Sequence, residues 1–178
     1  IESLSHEGRG VSHIDGKTIF IDGALPGETV KFRYRKSHSR YAEGSVVELV
    51  ADSSVDRIEA KCEHFLICGG CSLQHLSPDK QMQHKESVLL EQLEHIGGVQ
   101  PAETLEAMTG PLWGYRHKAR LGVKHVEKKG KVLVGFREKY SSYVAEINSC
   151  EVLHPSVGKI LDTLAELIAN LTVYNKIA

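Results

Sequence analysis

Cysteine placement constrains this fold more than any other feature, because the chain has four thiols and three of them crowd into one short segment. Cys62-Glu-His-Phe-Leu-Ile-Cys68-Gly-Gly-Cys71 holds three, and Cys150 follows 79 residues later. A glycine-bearing loop with three thiolates and a distant residue with a fourth is the layout of a four-thiolate metal centre, an iron–sulfur cluster first and zinc second. Structural zinc sites of four cysteines more often join two matched pairs, and only Cys68 and Cys71 stand at that spacing. The even count also admits two disulfides, against which stand a thiol-poor composition and the lack of a secretory signal. A Cys-Gly-Gly-Cys redox pair needs a strand before it and a helix starting within it, whereas Ser72-Leu-Gln-His75 follows.

With 178 residues and 41% apolar content, the chain has material for one medium domain or two small ones. No apolar run approaches the ~20 residues that cross a bilayer, which with the missing signal argues for the cytoplasm and against a membrane partner. The chain opens at Ile1 without a methionine and stops at Ala178 just after Leu171-Thr-Val-Tyr174, which reads as the start of a strand, so it is expected to be a trimmed piece of a longer protein.

Residues 1 to 58 are rich in β-branched side chains and punctuated by turn signals at Gly8-Arg-Gly10, Asp15-Gly16, Asp22-Gly23 and Pro26-Gly27. Asp15-Gly16 leads into Lys17-Thr-Ile-Phe-Ile21 as a hairpin, and Glu28–Lys36 and Tyr41–Val50 are the longer strands. Several strands in so short a stretch suggest a small five-stranded, OB-like β-barrel. After the cysteine loop, Ser77 reads as an N-cap with Pro78 at the first helical position, and Met82, Leu89, Leu93 and Ile96 recur at helical spacing until Gly97-Gly98. A linker-like stretch, 100–110, precedes strands expected at 115–126, 131–138 and 142–148, with Gly130 turning between the first two. A last helix is expected from Pro155, with Val157, Ile160, Leu161, Leu164 and Ile168 on one face. The fold class is therefore mainly β: a barrel over 1–58, then an α+β part over 59–178 with an antiparallel sheet and two helices.

Charge is concentrated in two places. Val30-Lys-Phe-Arg-Tyr-Arg35 alternates, so on a strand Lys31, Arg33 and Arg35 share one face and Val30, Phe32 and Tyr34 the other. With Lys36 and Arg40, residues 31–40 carry five cations and no acid. In Tyr115-Arg-His-Lys-Ala-Arg-Leu-Gly-Val-Lys124 the same alternation groups Arg116, Lys118, Arg120 and Lys124 opposite Ala119, Leu121 and Val123. Residues 114–140, which include Arg137, hold nine Lys or Arg against two Glu. Same-face residues on a strand lie roughly 7 Å apart, close to the spacing of successive phosphates, so such rows suit a polyanion backbone. Solvated outer faces that block edge pairing explain a single row as well; two rows favour the polyanion. Tyr34, Tyr41, Tyr115, Phe136 and Tyr140 lie among these charges as candidates for base stacking or for the core.

His64 and His75 flank the cysteines; they read as exposed loop residues rather than ligands, since four thiols are available. His117 reads as a sheet residue, with no carboxylate or nucleophile near it in sequence to make it a base. No Gly-x-Gly-x-x-Gly stands between a strand and a helix, and no catalytic triad, phosphate loop or spare nucleophilic cysteine is present, so the chain by itself reads as non-catalytic.

The start near Gly8-Arg-Gly-Val-Ser and the run Gly23-Ala-Leu-Pro-Gly-Glu28 resemble a TRAM domain. Cys62-x5-Cys68-Gly-Gly-Cys71-Ser-Leu-Gln-His75, Trp113-Gly-Tyr-Arg-x-Lys-x-Arg120, Gly135-Phe-Arg-Glu138 and Cys150-x-x-Leu-x-Pro155 resemble the bacterial uracil-C5 RNA methyltransferases, in the type that acts on 23S ribosomal RNA. The resemblance runs along almost the whole chain. It implies an RNA-binding barrel over 1–58 and a central domain over 59–178 with a [4Fe-4S] cluster on Cys62, Cys68, Cys71 and Cys150, bracing the central sheet relative to the barrel. It further implies a ribosomal RNA stem-loop as partner, no obligate protein partner, and S-adenosylmethionine and a catalytic cysteine located beyond Ala178. A zinc-stabilised, stand-alone RNA-binding module and part of a radical S-adenosylmethionine methylthiotransferase share portions of the pattern. In the latter the barrel comes last and a three-cysteine motif leaves one iron open.

Overall fold

In the computed structural model, which describes residues 1–171, the first three strands form a meander: β1 (Ser3–Leu4), β2 (Gly10–Ile14) and β3 (Lys17–Asp22). The β2–β3 turn is Asp15-Gly16 with φ of 51° and 76°, the paired left-handed conformation that a two-residue hairpin requires and this dipeptide favours. A second hairpin, β4 (Thr29–Ser37) and β5 (Tyr41–Ala51), returns β5 parallel to β3, giving the order β1-β2-β3-β5-β4. The amino group of Ile1 donates to the Glu28 carbonyl at 2.8 Å and the Gly27 amide to the Ile1 carbonyl at 2.9 Å. The leading ends of the two edge strands are thus stitched together and the mixed sheet bends round on itself, as the small-barrel reading anticipates. Ile19, Ile21, Ala24 and Ala42 fill its interior with Val30, Phe32 and Val46 packed on them. Each isoleucine so buried contributes about 1.5–3 kcal/mol.

Contacts divide the chain into two compact units, one of residues Ile1–Glu59 and Ser72–Gly110, the other of Ala60–Cys71 and Pro111–Ala178. The first unit is locked by a buried carboxylate. Glu28, 1% exposed, receives Arg57 Nε at 2.5 Å and Nη2 at 2.7 Å, the Leu25 amide at 2.8 Å and the Ser54 amide at 3.2 Å. Arg57 also donates to the Gly23 carbonyl at 2.7 Å. Burial pushes the Glu28 carboxyl up, but these donors and the guanidinium charge outweigh it and hold the group below the ordinary value of 4.5.

Helix α1 (Pro78–His95) also groups with the first unit. Proline takes the first helical turn as expected, but Ser77 makes no side-chain cap; its amide donates to the Asp56 carbonyl at 2.9 Å. None of the helix is buried among the described residues, and Leu89 and Ile96 of the expected apolar face are 57% and 82% exposed. Its start is held by polar contacts: Gln81 Nε2 donates to the Leu73 and Leu76 carbonyls, and His84 meets the Ser5 carbonyl.

The second unit is built on the hairpin β6 (Gly122–Val126) and β7 (Lys131–Gly135), which turns through Glu127–Lys129 and Gly130 at φ 60°. The strands are shorter than the alternation suggests. Residues 115–121 form no ladder except where Arg116 bridges Leu153, and 142–148 is no strand, with Arg137 bridging Val144. The expected last helix is two pieces, α2 (Pro155–Gly158) and α3 (Leu161–Ala169). The break leaves Val157 and Ile160 exposed while Leu161 enters the core of Val132, Val134, Ala145, Ile147 and Leu153. The strand expected from Leu171-Thr-Val-Tyr174 lies, after Leu171, outside the described residues. Among those described, no helix is long and apolar enough to cross a membrane.

Replacing Arg57 by Met leaves the Glu28 carboxylate buried without its counter-ion and is expected to lower unfolding free energy by roughly 3 kcal/mol in urea titrations at neutral pH. Because the Glu28 value is depressed on folding, its contribution is whole above about pH 4.5 and drains away as pH falls through the lower folded value. Thermal melts of Glu28→Gln should therefore lie below those of the parent at pH 7 and change less between pH 5 and 3; equal acid sensitivity would contradict the assignment.

Candidate metal centre and nucleic-acid interface

All four cysteines belong to the second unit, are half-buried and form no disulfide. The loop that carries three of them is held by backbone pairing across 70 residues of sequence. The Lys139 amide donates to the Ile67 carbonyl at 3.0 Å and the Gly69 amide to the Arg137 carbonyl at 2.8 Å, with Cys68 bridged to Glu138 between them. The same segment pairs on its other side with residues 143–145, through the Ala145 amide to Phe136 and the Glu138 amide to Tyr143. This close docking explains the two glycines. A Cβ on Gly69 would lie 2.9 Å from the Arg137 carbonyl oxygen and one on Gly70 3.1 Å from the Phe136 ring.

Cys150 is fixed by a different contact. Its amide donates to the Gly158 carbonyl at 2.8 Å, and a Cβ on Gly158 would fall 2.3 Å from the Cys150 oxygen, so α2 can close over this residue only with glycine there. His64 ties the two cysteine-bearing segments together: its Nε2 lies 3.0 Å from Asn148 Oδ1 and 3.4 Å from the Asn148 amide nitrogen. Burial pushes the Cys62 and Cys68 thiols up; repulsion from neighbouring thiolates adds to this, from Cys150 and Cys71 on Cys62 and from Cys71, Cys150 and Cys62 on Cys68. The Gly70 amide donates to Cys68 Sγ at 3.4 Å and the His64 amide to Cys62, the N–H···S bonds that steady bound thiolates.

Among the described residues no three such side chains close on a single ion. The donor set present, four soft thiols with amide donors on two of them, fits a cluster. His75 lies in the first unit and is buried at 3%, so the exposed-loop reading does not hold for it: the chain after Ser72 turns back into that unit, where the Ile58 amide donates to the His75 carbonyl at 3.0 Å.

On the first cationic row, Lys31, Arg33 and Arg35 are exposed while Val30 and Phe32 pack on the core, as the alternation requires. Tyr34 departs from this, at 54% exposed. Lys31 pairs with Glu48 at 2.9 Å and Arg35 Nε donates to Ser45 Oγ at 2.9 Å. Arg33, Lys36 and Arg40 make no ion pair among the described residues. The second row is less regular. Lys118, Arg120 and Lys124 are exposed, but so is Ala119, because 115–121 is not a strand. Arg116 is half-buried with its guanidinium 5.6 Å from the Phe136 ring centre, and Arg137 Nη1 donates to the Ser142 carbonyl at 2.6 Å. Lys129 and Lys131 both pair with Glu146, holding its carboxyl down to about 2 and cancelling part of the local positive charge. His117 is no sheet residue; its exposed ring lies 5.0 Å from that of His154. Sequence reasoning missed Lys61, which sits 4.9 Å over the Trp113 ring and 2.7 Å from Glu151; no spacing signal links these three positions.

A TRAM domain model matches residues 1–47. Over 178 residues the chain is 56% identical to the 23S rRNA (uracil(1939)-C(5))-methyltransferase RlmD of Nitrosococcus oceani, and over 177 residues 54% identical to that of Alkalilimnicola ehrlichii; both alignments take in 99% of this chain and 40% of the relative. A crystal structure of Pyrococcus abyssi tRNA (uracil-54, C5)-methyltransferase in complex with S-adenosyl-L-homocysteine matches with a TM-score of 0.60 and 28% identity, covering 94% of this chain and 35% of that one. The resemblance read from the motifs therefore holds along the chain, which spans about 40% of the length of these curated relatives.

Gly158→Ala is expected to force Cys150 away from α2 and cost about 1–3 kcal/mol in chemical denaturation. Gly110→Ala, whose Cβ meets nothing within 4 Å, should leave stability unchanged. Equal behaviour of the two variants would show that the packing over Cys150 is not tight.

Proposed function

We propose that this chain is the RNA-binding and iron–sulfur portion of an S-adenosylmethionine-dependent 23S rRNA uracil-C5 methyltransferase, which forms 5-methyluridine. The observation that carries this reading is the 56% identity to an RlmD protein across 178 residues, cysteine segment and barrel together. Residues 1–58 are the TRAM barrel and 59–178 the central domain; the methyl donor and the reacting cysteine belong to the part of the parent protein outside this chain. Ribosomal RNA is the partner and the cytoplasm the location.

In this division of labour the chain grips RNA and the remainder performs the chemistry. A uracil inside folded RNA must be unstacked before its ring is attacked, at a cost of a few kcal/mol. Exposed cations offset that cost by binding the backbone of the opened loop: Arg33, Lys36 and Arg40 on the first unit, Lys118, Arg120 and Lys124 on the second. Lys31, Arg35, Arg116 and Arg137 have neighbours within the fold and serve as positioning groups as much as phosphate ligands.

Cys62, Cys68, Cys71 and Cys150 would hold a [4Fe-4S] cluster whose bound irons cross-link the loop to the Cys150 segment. All four thiols lie in one unit, so the bracing is internal to that unit. The role we assign it is structural: Gly70 and His64 amides bond the sulfurs, and the pairing of 67–69 with 137–139 holds the loop.

Purified anaerobically, the protein should be brown, with iron and acid-labile sulfide that Cys150→Ser removes; a colourless protein with one tightly bound zinc would favour a zinc-stabilised RNA module instead. Binding of a 23S stem-loop should weaken with salt, and Lys118→Glu with Arg120→Glu should lower the log–log salt slope by roughly 0.7–0.9 for each phosphate no longer neutralised. An unchanged slope would remove the second row from the interface.

A further inference from the structure

The outer face of the first unit's sheet carries a contiguous set of rings. Ile19, Ile21 and Ala42 point into the core, so their sequence neighbours Phe20 and Tyr41 point out. Phe20 and Tyr41 meet edge to face at 5.9 Å, and His38 stacks on Tyr41 at 4.4 Å with 24° between the planes, across the tip of the β4–β5 hairpin. Arg9 caps the far end, 5.2 Å over the Phe20 ring. His38 is exposed and Tyr41 37% exposed, so the stack ends in solvent with one imidazole face uncovered by Tyr41.

Register explains why cations gather beside it. Arg33 lies opposite Ser45 on the outer side; the register then shifts between Tyr34 and Lys36, with Arg35 as the extra residue reaching back to Ser45, so that Lys36 falls opposite Glu43. Without that extra residue Lys36 would turn to the inner face. The bulge therefore delivers Arg33, Arg35 and Lys36 to the same side as the rings. The acids there are engaged: Glu43 pairs with Arg9 at 3.2 Å and Glu48 with Lys31 at 2.9 Å.

An exposed aromatic stack with Arg33 and Lys36 alongside has the two parts of a single-strand site, a platform for a base and donors for its phosphates. We infer that the His38–Tyr41 stack is a base-stacking site, in which an unpaired RNA base lies on His38 as the third ring while Arg33 and Lys36 take the flanking phosphates. This rests on the RNA-binding reading above and adds to it a contact that depends on the base rather than on charge.

The test compares, in the full chain, binding of a fluorescent single-stranded oligoadenylate of about ten nucleotides with that of an abasic ribose-phosphate strand of equal charge. His38→Ala and Tyr41→Ala should weaken oligoadenylate binding roughly tenfold, leave its salt slope unchanged and leave the abasic strand unaffected. Tyr41→Phe and His38→Tyr should retain binding. His38→Ala removes an exposed hairpin side chain and keeps the test valid even if Tyr41→Ala unfolds. Oligoadenylate affinity that survives His38→Ala, or equal weakening on both strands, overturns the stacking site while the RNA-binding reading stands. No salt-dependent binding of either strand by the parent protein would overturn both.

Discussion

Backbone pairing between residues 67–69 and 137–139 is the constraint on which the second unit depends. Two amide-to-carbonyl bonds, Lys139 to Ile67 and Gly69 to Arg137, lay the cysteine loop along the extension of β7, and the other edge of that extension is taken by 143–145. From there the chain needs only a few residues to reach Cys150. A loop with three thiols and a lone thiol far away in sequence are thus made neighbours by a strand-like segment between them. The pairing also sets residue identities: two glycines where a Cβ would strike Arg137 or Phe136, and a third at 158 where it would strike the Cys150 carbonyl.

The first unit is held by a different device with the same economy. A single carboxylate, Glu28, satisfies the Leu25 and Ser54 amides and the Arg57 guanidinium, closing the Gly23–Glu28 loop against the chain that leaves β5. This gives a physical meaning to Gly23-Ala-Leu-Pro-Gly-Glu28, which as sequence is only a pattern. With Ala24 and Leu25 fully buried, that loop is part of the core rather than a surface connection. A buried carboxylate without its partner would face the full cost of desolvation, which is why the motif and Arg57 form one unit of stability.

Sequence periodicity was a good guide wherever the pairing partner was close along the chain. The Asp15-Gly16 hairpin and the Gly130 turn rest on contacts within a few residues and stand where the pattern puts them, and the alternation of β4 holds from Val30 to Arg33 before Tyr34 and the bulge depart from it. It failed where partners were remote. Residues 115–121 alternate like a strand, yet Arg116 is the one position paired, with Leu153, and Ala119 faces solvent. The apolar spacing of α1 describes a real helix whose Leu89 and Ile96 nonetheless stay mostly exposed. A continuous helix from Pro155 breaks because Gly158 turns its carbonyl to Cys150 instead of onward along the helix.

Local chemistry alone therefore determined the existence of a thiol-rich loop, a β-rich first part and two cationic segments, since residue type, spacing and turn preference act over a few positions. Only the tertiary structure decided which side chains meet. It joined the Cys150 segment to the thiol loop through Asn148 and His64, used a bulge at Arg35 to bring Lys36 round beside Tyr41 and His38, engaged Lys129 and Lys131 with Glu146, and buried His75. These outcomes hinge on register and on contacts between distant segments, where one inserted residue reverses the face a side chain occupies, and no window of sequence contains that information.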